Sequence, residues 1–137
     1  MVMPQTRAVP LRVLGLYDSR FWAELVGSRT LRLQCCSACA TYRYPPGPAC
    51  PACLSDACYW DSVSGEGEIV SWVIFHRQYM PEYPPPYNVI AVRLREGPLM
   101  ISNLVGPVPE GSWIGRKVHC FVQAMDDGSV LPRFRLA

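Results

Sequence analysis

The residues best placed to do chemistry are Cys36, Cys39, Cys50 and Cys53, which follow the pattern C-x2-C-x10-C-x2-C. A CxxC turn offers two sulfurs to one ion from a single bend, and two such turns complete the tetrahedron that zinc prefers. Four sulfurs close the coordination shell and leave no position for water or substrate. The pattern therefore predicts one structural zinc ion. Rubredoxin-type iron takes the same four thiolates, but from CxxC turns set farther apart in sequence. Cys35 could replace Cys36 only through a C-x3-C spacing, which makes a poorer turn. Cys58 and Cys120 read as small buried hydrophobes.

Other chemistry is thinly supported. His76 and His119 are the only histidines, and neither stands at a triad or metal spacing from a Cys, Ser or Asp. His76 falls at the end of a predicted strand, where it either lines a ligand site or sits hydrogen-bonded at a barrel rim. There is no phosphate-cradling glycine loop, nucleophile elbow or dinucleotide fingerprint. No catalytic residue is assigned.

The elements that must position these residues can be read from periodicity. Residues 1–16 show no clear period and read as an arm. Asp18 or Ser19 is a competent N-cap for a short helix over residues 20–26, closed by Gly27, with Phe21, Leu25 and Trp22 toward one face. Thr30 to Gln34 alternates like a strand and runs into the first CxxC. Beyond Trp60, strands are predicted over residues 68–76, 88–95, 99–105, 116–124 and 130–136. The first of these is apolar on both faces, as in a strand covered twice. Five strands in about 75 residues suit a closed barrel of the OB type; a β-sandwich is the alternative. The expected organisation is an arm and helix over 1–30, a zinc ribbon over 31–60 and a barrel over 61–137.

Bulk properties narrow the function classes. The 137 residues are half apolar and 18% charged, a globular composition, and no apolar run reaches the ~18 residues a membrane span needs. No secretory h-region is evident at the start, so the expected location is the cytoplasm, where six cysteines between positions 35 and 58 argue for metal rather than disulfides. Net charge is +2, which does not favour nucleic acid. Tyrosines 79, 83 and 87 crowd the loop between the first two barrel strands. Such aromatics can stack bases on an OB barrel or fill a protein interface, and the modest charge favours the interface.

The order of short motifs carries more than any one of them. Leu31-Arg32-Leu33-Gln34-Cys35-Cys36-x-x-Cys39 is followed by Tyr44-Pro45-Pro46, Cys50-Pro51-x-Cys53, Trp60 and Ser64-Gly65-x-Gly67. Ser71, His76, Pro86-Tyr87, Glu96-Gly97, Asn103-Leu104-Val105-Gly106 and Ile114-Gly115 then follow in turn. This series closely resembles the DUF35 OB-fold family with its rubredoxin-like zinc ribbon, from the Phe21-Trp22 helix to Pro132-x-Phe134. The resemblance implies a zinc-containing accessory subunit of a thiolase-fold enzyme acting on acyl-CoA. The partner would be a lipid-transfer-protein-like aldolase, as in steroid side-chain degradation, or an acyltransferase. It places the zinc ligands on Cys36, Cys39, Cys50 and Cys53 and the family's post-strand histidine on His76. Trp22, His76, Tyr79, Tyr83 and Tyr87 are the expected contacts for partner or acyl-CoA. The chain departs from the family at Cys35, where a basic residue is usual, and at Ala40, where a glycine commonly relieves a positive φ. The competing functions are a single-stranded nucleic-acid binder on the same barrel and a free-standing acyl-CoA binder or hydrolase.

Overall fold

A computed structural model of the chain describes residue 10 and residues 12–137. Most of the expected arm, residues 1–9 and 11, lies outside the described residues. Of its remainder, the Arg12 guanidinium packs over the Trp22 ring at 3.8 Å.

Helix α1 spans Leu16–Ser28, longer than expected at both ends. Gly15, not Asp18 or Ser19, is the N-cap, and the Ser19 hydroxyl instead donates back to the Gly15 carbonyl at 2.8 Å. Gly27 does not close the helix. Arg29 takes the left-handed turn at φ 56°, donating its N–H to the Leu25 carbonyl. A glycine inside a helical run marks a weakness and not necessarily an end. Phe21 and Leu25 are buried as the spacing requires, and Trp22 is half-buried with its ring edge-on to Phe21.

The ribbon has three antiparallel strands, β1 (Arg32–Cys36), β2 (Tyr42–Arg43) and β3 (Cys58–Ser62), in the order β2-β1-β3. β1 begins two residues later than the expected Thr30 and runs into the first metal cysteine. The Cys36 N–H reaches the Thr41 carbonyl at 2.9 Å and so carries the ladder into the turn. β3 was not predicted. Its five residues mix Cys, Tyr, Trp, Asp and Ser with no strong alternation, and pairing with β1 decides their conformation.

Five further strands form the second sheet: β4 (Glu66–Phe75), β5 (Tyr87–Leu94), β6 (Leu99–Ser102), β7 (Lys117–Ala124) and β8 (Val130–Leu136). Their order is β6-β5-β4-β7-β8, all antiparallel. The sheet curls until its edges meet, where Leu104 makes a parallel bridge to Phe134. The Val105 N–H donates to the Phe134 carbonyl at 2.8 Å and the Phe134 N–H to the Asn103 carbonyl at 3.1 Å. This is the curled five-stranded OB-type sheet that the strand count predicted, not a two-layer sandwich.

β4 corrects the simple alternation. A bulge between Ile69 and Ser71 inserts Val70, so Ile69 shares the inner face with Trp72 and Ile74. His76 falls just past the strand and is exposed. Gly67 sits where β4 pairs with both neighbours; a Cβ there would overlap Cγ1 of Val92 and approach the Arg93 carbonyl oxygen to 2.9 Å. β5 behaves as read, with Ile90, Val92 and Leu94 buried.

One core joins the parts. Phe21 from the helix and Leu31 and Leu33 from the ribbon belong to the same buried cluster as Ile69, Ile90, Met100 and Phe134 of the barrel. Glu24 adds an ion pair from α1 to Arg32 of β1 at 3.0 Å.

The barrel is latched by a buried amide. Asn88 Nδ2 donates to the Leu104 carbonyl at 2.8 Å, and its Oδ1 accepts the Leu104 N–H at 2.6 Å. These two bonds hold the closing segment beside β5. Asn88→Ala leaves both Leu104 backbone groups buried without partners, at about 1–3 kcal/mol each. Urea denaturation should show a stability loss on the order of 3 kcal/mol with zinc content unchanged.

Candidate metal centre

The two CxxC turns are built alike. Ala40 donates its N–H to the Cys36 carbonyl and Leu54 donates to the Cys50 carbonyl, both at 2.9 Å. Each is the residue after the second cysteine of its turn, and each takes a left-handed conformation, with φ 63° at Ala40 and 65° at Leu54. The positive φ expected at Ala40 is therefore present, and it has a twin that sequence reading passed over.

These turns bring four sulfurs together. All four Sγ atoms lie within 4.8 Å of one another, with Cys36–Cys53 and Cys39–Cys50 both 3.6 Å apart. A tetrahedron with Zn–S bonds of about 2.3 Å has S–S edges of roughly 3.8 Å. The cage fits one zinc ion. Cys36 and Cys50 are buried, while Cys39 and Cys53 face solvent.

The polar surroundings favour thiolates at three of the four positions. The backbone N–H of Cys39 pulls Cys36 below the ordinary thiol value, the Thr41 hydroxyl 3.2 Å away does so for Cys39, and the backbone N–H of Cys53 for Cys50. At Cys53 the Ser55 backbone N–H lowers the pKa, but the Cys36 and Cys39 sulfurs outweigh it and push the thiol up to about 12. Four thiolates this close repel one another, and a divalent cation supplies the opposite charge that keeps them ionised.

Cys35 belongs to a different environment. It is buried, with its thiol 3.6 Å from the Ala40 carbonyl, and stands outside the four-sulfur group. Cys120 is buried, and burial pushes its thiol up to about 12. Cys58 is only half-buried and receives the Gln34 amide N–H at 3.6 Å.

Gln34 is the hub that sequence reading missed. Its Oε1 accepts from Arg43 Nε at 3.1 Å and from the Gly47 N–H at 2.8 Å, and its Nε2 donates to the Gly47 carbonyl at 3.1 Å. One buried amide thus ties β1, β2 and the loop between the knuckles. Across the same sheet, the Tyr42 hydroxyl donates to Asp61 at 2.6 Å, and that carboxylate holds the Tyr42 pKa well above the usual phenol range.

The residues expected to contact a partner fall into separate places. Phe75, Tyr79, Tyr83 and Tyr87 form one aromatic cluster: Phe75 stacks on Tyr87 at 5.0 Å, with Tyr79 edge-on to Phe75 and Tyr83 tilted against Tyr87. Tyr83 also bears on the buried Arg133 of β8: burial lowers the Arg133 pKa and Tyr83 opposes that shift. Trp22, on the helix, is occupied by Phe21 and by Arg12 of the preceding segment.

Residues 24–57 match the family model of the ChsH2 rubredoxin-like zinc ribbon domain, and residues 60–122 match that of the ChsH2 C-terminal OB-fold domain. A "DUF35 domain-containing scaffold protein" of Pyrococcus furiosus is 30% identical over 93 residues, spanning 64% of this chain and 68% of its own length. The chain belongs to the DUF35 family. A "Probable enoyl-CoA hydratase alpha subunit" of Thermomonospora curvata is 40% identical over 122 residues. That match takes in 88% of this DUF35 chain but only 38% of the relative's length. The solved structure "Ltp2-ChsH2(DUF35) aldolase" contains a chain 33% identical to this one, with a TM-score of 0.81, covering 92% of this DUF35 chain and 98% of its own. Among the described residues no helix is long and apolar enough to cross a membrane.

Both left-handed positions hold side chains where glycine would relax the backbone, by ~1 kcal/mol each. Ala40→Gly and Leu54→Gly should therefore each raise thermal stability and strengthen zinc binding, read by melting and competition with a chromophoric chelator. Because zinc displaces protons from the thiols, binding in either variant should still weaken as pH falls.

Proposed function

We propose that this chain is a zinc-containing accessory subunit that binds and stabilises a thiolase-fold enzyme acting on acyl-CoA. The favoured partner is a lipid-transfer-protein-like aldolase of the kind used in steroid side-chain degradation. An acyltransferase partner would need the same services. The observation that carries the reading is the likeness, over 92% of this chain, to the chain of the Ltp2-ChsH2(DUF35) aldolase, at 33% identity and a TM-score of 0.81.

The chemistry of the site agrees with it. A closed shell of four sulfurs holds a zinc ion without an open position, so the ion clips structure and does not activate water. The clip lies in the sheet that leads from α1 to the barrel, and the helix and both sheets share one core. Losing the metal would loosen that assembly. On this reading the enzyme's own residues break the carbon–carbon bond. This chain supplies a shaped surface and soluble, folded context.

Co-expression with a lipid-transfer-protein-like aldolase from the same source should give a stable complex with retro-aldol activity on a β-hydroxyacyl-CoA. An enzyme equally soluble and active without this chain would overturn the reading. Cys39→Ser should lose zinc and the complex together, measured by metal analysis and size-exclusion chromatography. Normal assembly of zinc-free Cys39→Ser would show that the clip does not serve the partner.

A further inference from the structure

The outer face of β4, β5 and β6 is largely apolar, with Ser71 within it and Arg93 at its lower end. The strand register aligns Phe75 with Tyr87, Val73 with Val89, and Ala91 with both Ser71 and Ile101, all on the side away from the core. Ile101 is 60% exposed, Val73 48% and Leu99 39%. At its upper end this face runs into the Phe75, Tyr79, Tyr83 and Tyr87 cluster. The sequence makes β4 apolar on both sides, whereas the described residues cover only the inner one. Contiguous apolar surface of this kind marks an interaction site.

Charge narrows what can cover it. Arg93 projects from the lower end, where it donates to the Gly97 carbonyl at 3.0 Å, and Arg77 stands at the upper end over the Tyr79 ring. Among the described residues neither forms an ion pair. The nearby carboxylates are engaged: Glu66 with Arg95, Glu68 with Lys117, and Glu96 with Ser64. Glu82, the loop's one acid, is half-buried. A second copy of this face would offer Arg77 and Arg93 only the half-buried Glu82 as a carboxylate outside these pairs. A nucleic acid would find the aromatic cluster but only two cations, Arg77 and Arg93, to meet its phosphates.

We infer that the outer β4–β5–β6 face is the docking surface for the thiolase-fold enzyme, which presents an apolar patch rimmed by carboxylates. Val73, Leu99 and Ile101 enter the buried centre, and Arg77 and Arg93 meet the acidic rim. The inference rests on the function proposed above and names where on the chain it is carried out.

The test uses the zinc-loaded chain and the co-expressed enzyme, with dissociation constants from calorimetry. Val73→Asp and Ile101→Asp should each weaken binding by about 30-fold or more, the loss typical of a central interface residue. Their melting temperatures and zinc content should match wild type. Arg93→Glu should weaken binding less, with the difference shrinking as salt rises. Val26→Asp, at an exposed position on α1, should bind as wild type does. A wild-type complex untouched by Val73→Asp and Ile101→Asp, or lost with Val26→Asp instead, overturns this face and leaves the function standing. Failure of the wild type to bind removes both. A wild-type homodimer that Ile101→Asp dissociates shows a second copy on the face and overturns the assignment.

Discussion

Four sulfurs drawn to one cation hold together a sheet too small to hold itself. The ribbon's strands have five, two and five residues, and strands this short are marginal without added cross-linking. A metal that binds the folded ligands contributes its binding free energy to folding. The backbone is bent to suit: two left-handed residues in equivalent places allow the paired knuckles to face one ion. Gln34 and the Tyr42–Asp61 pair then fix the strands around that point with neutral and charged hydrogen bonds.

From the ribbon outward, each part depends on its neighbour. Phe21 of α1, Leu31 and Leu33 of the ribbon segment and Phe134 of β8 share one interior. The arrangement suits a protein whose value lies in the relative placement of its surfaces. A helix or knuckle swinging independently would cost ordering entropy each time a partner was engaged.

Much of this was legible in the sequence, for physical reasons that also explain the gaps. The four cysteines that the structure draws together were legible because CxxC spacing is a local property, fixed by one turn. The strand β5 was placed within about two residues because its burial alternates cleanly, and β7 and β8 because a Pro/Gly-rich connection and the Asp126-Asp127-Gly128 turn bound them. β4 was placed but its faces were mixed, since the bulge at Val70 shifts the alternation by one residue. β3 escaped because partner pairing, not its own composition, makes it a strand. The helix ends slipped because Gly15 and Arg29 act as caps through backbone geometry, with no side-chain signature. Gln34, Asn88 and Arg133 were invisible as structural residues: a lone polar residue inside a strand shows its partners only once distant segments have met. The tyrosine loop was noticed for its composition, but its joining to the β4–β6 exterior needed the register.

The closing bridge between Leu104 and Phe134 also sets an order of events during synthesis. The ribbon's ligands and all three of its strands lie within residues 32–62, whereas the seam of the barrel waits for residue 134. A chain emerging from the ribosome can thus capture its metal while the barrel is still open, with Ile90, Val92 and Met100 lacking their final cover. During that interval the loaded ribbon and a half-made, apolar sheet coexist. Chains elongate at about 5–20 residues per second, so the interval lasts seconds. A protein built this way benefits from an early companion as much as from a late one.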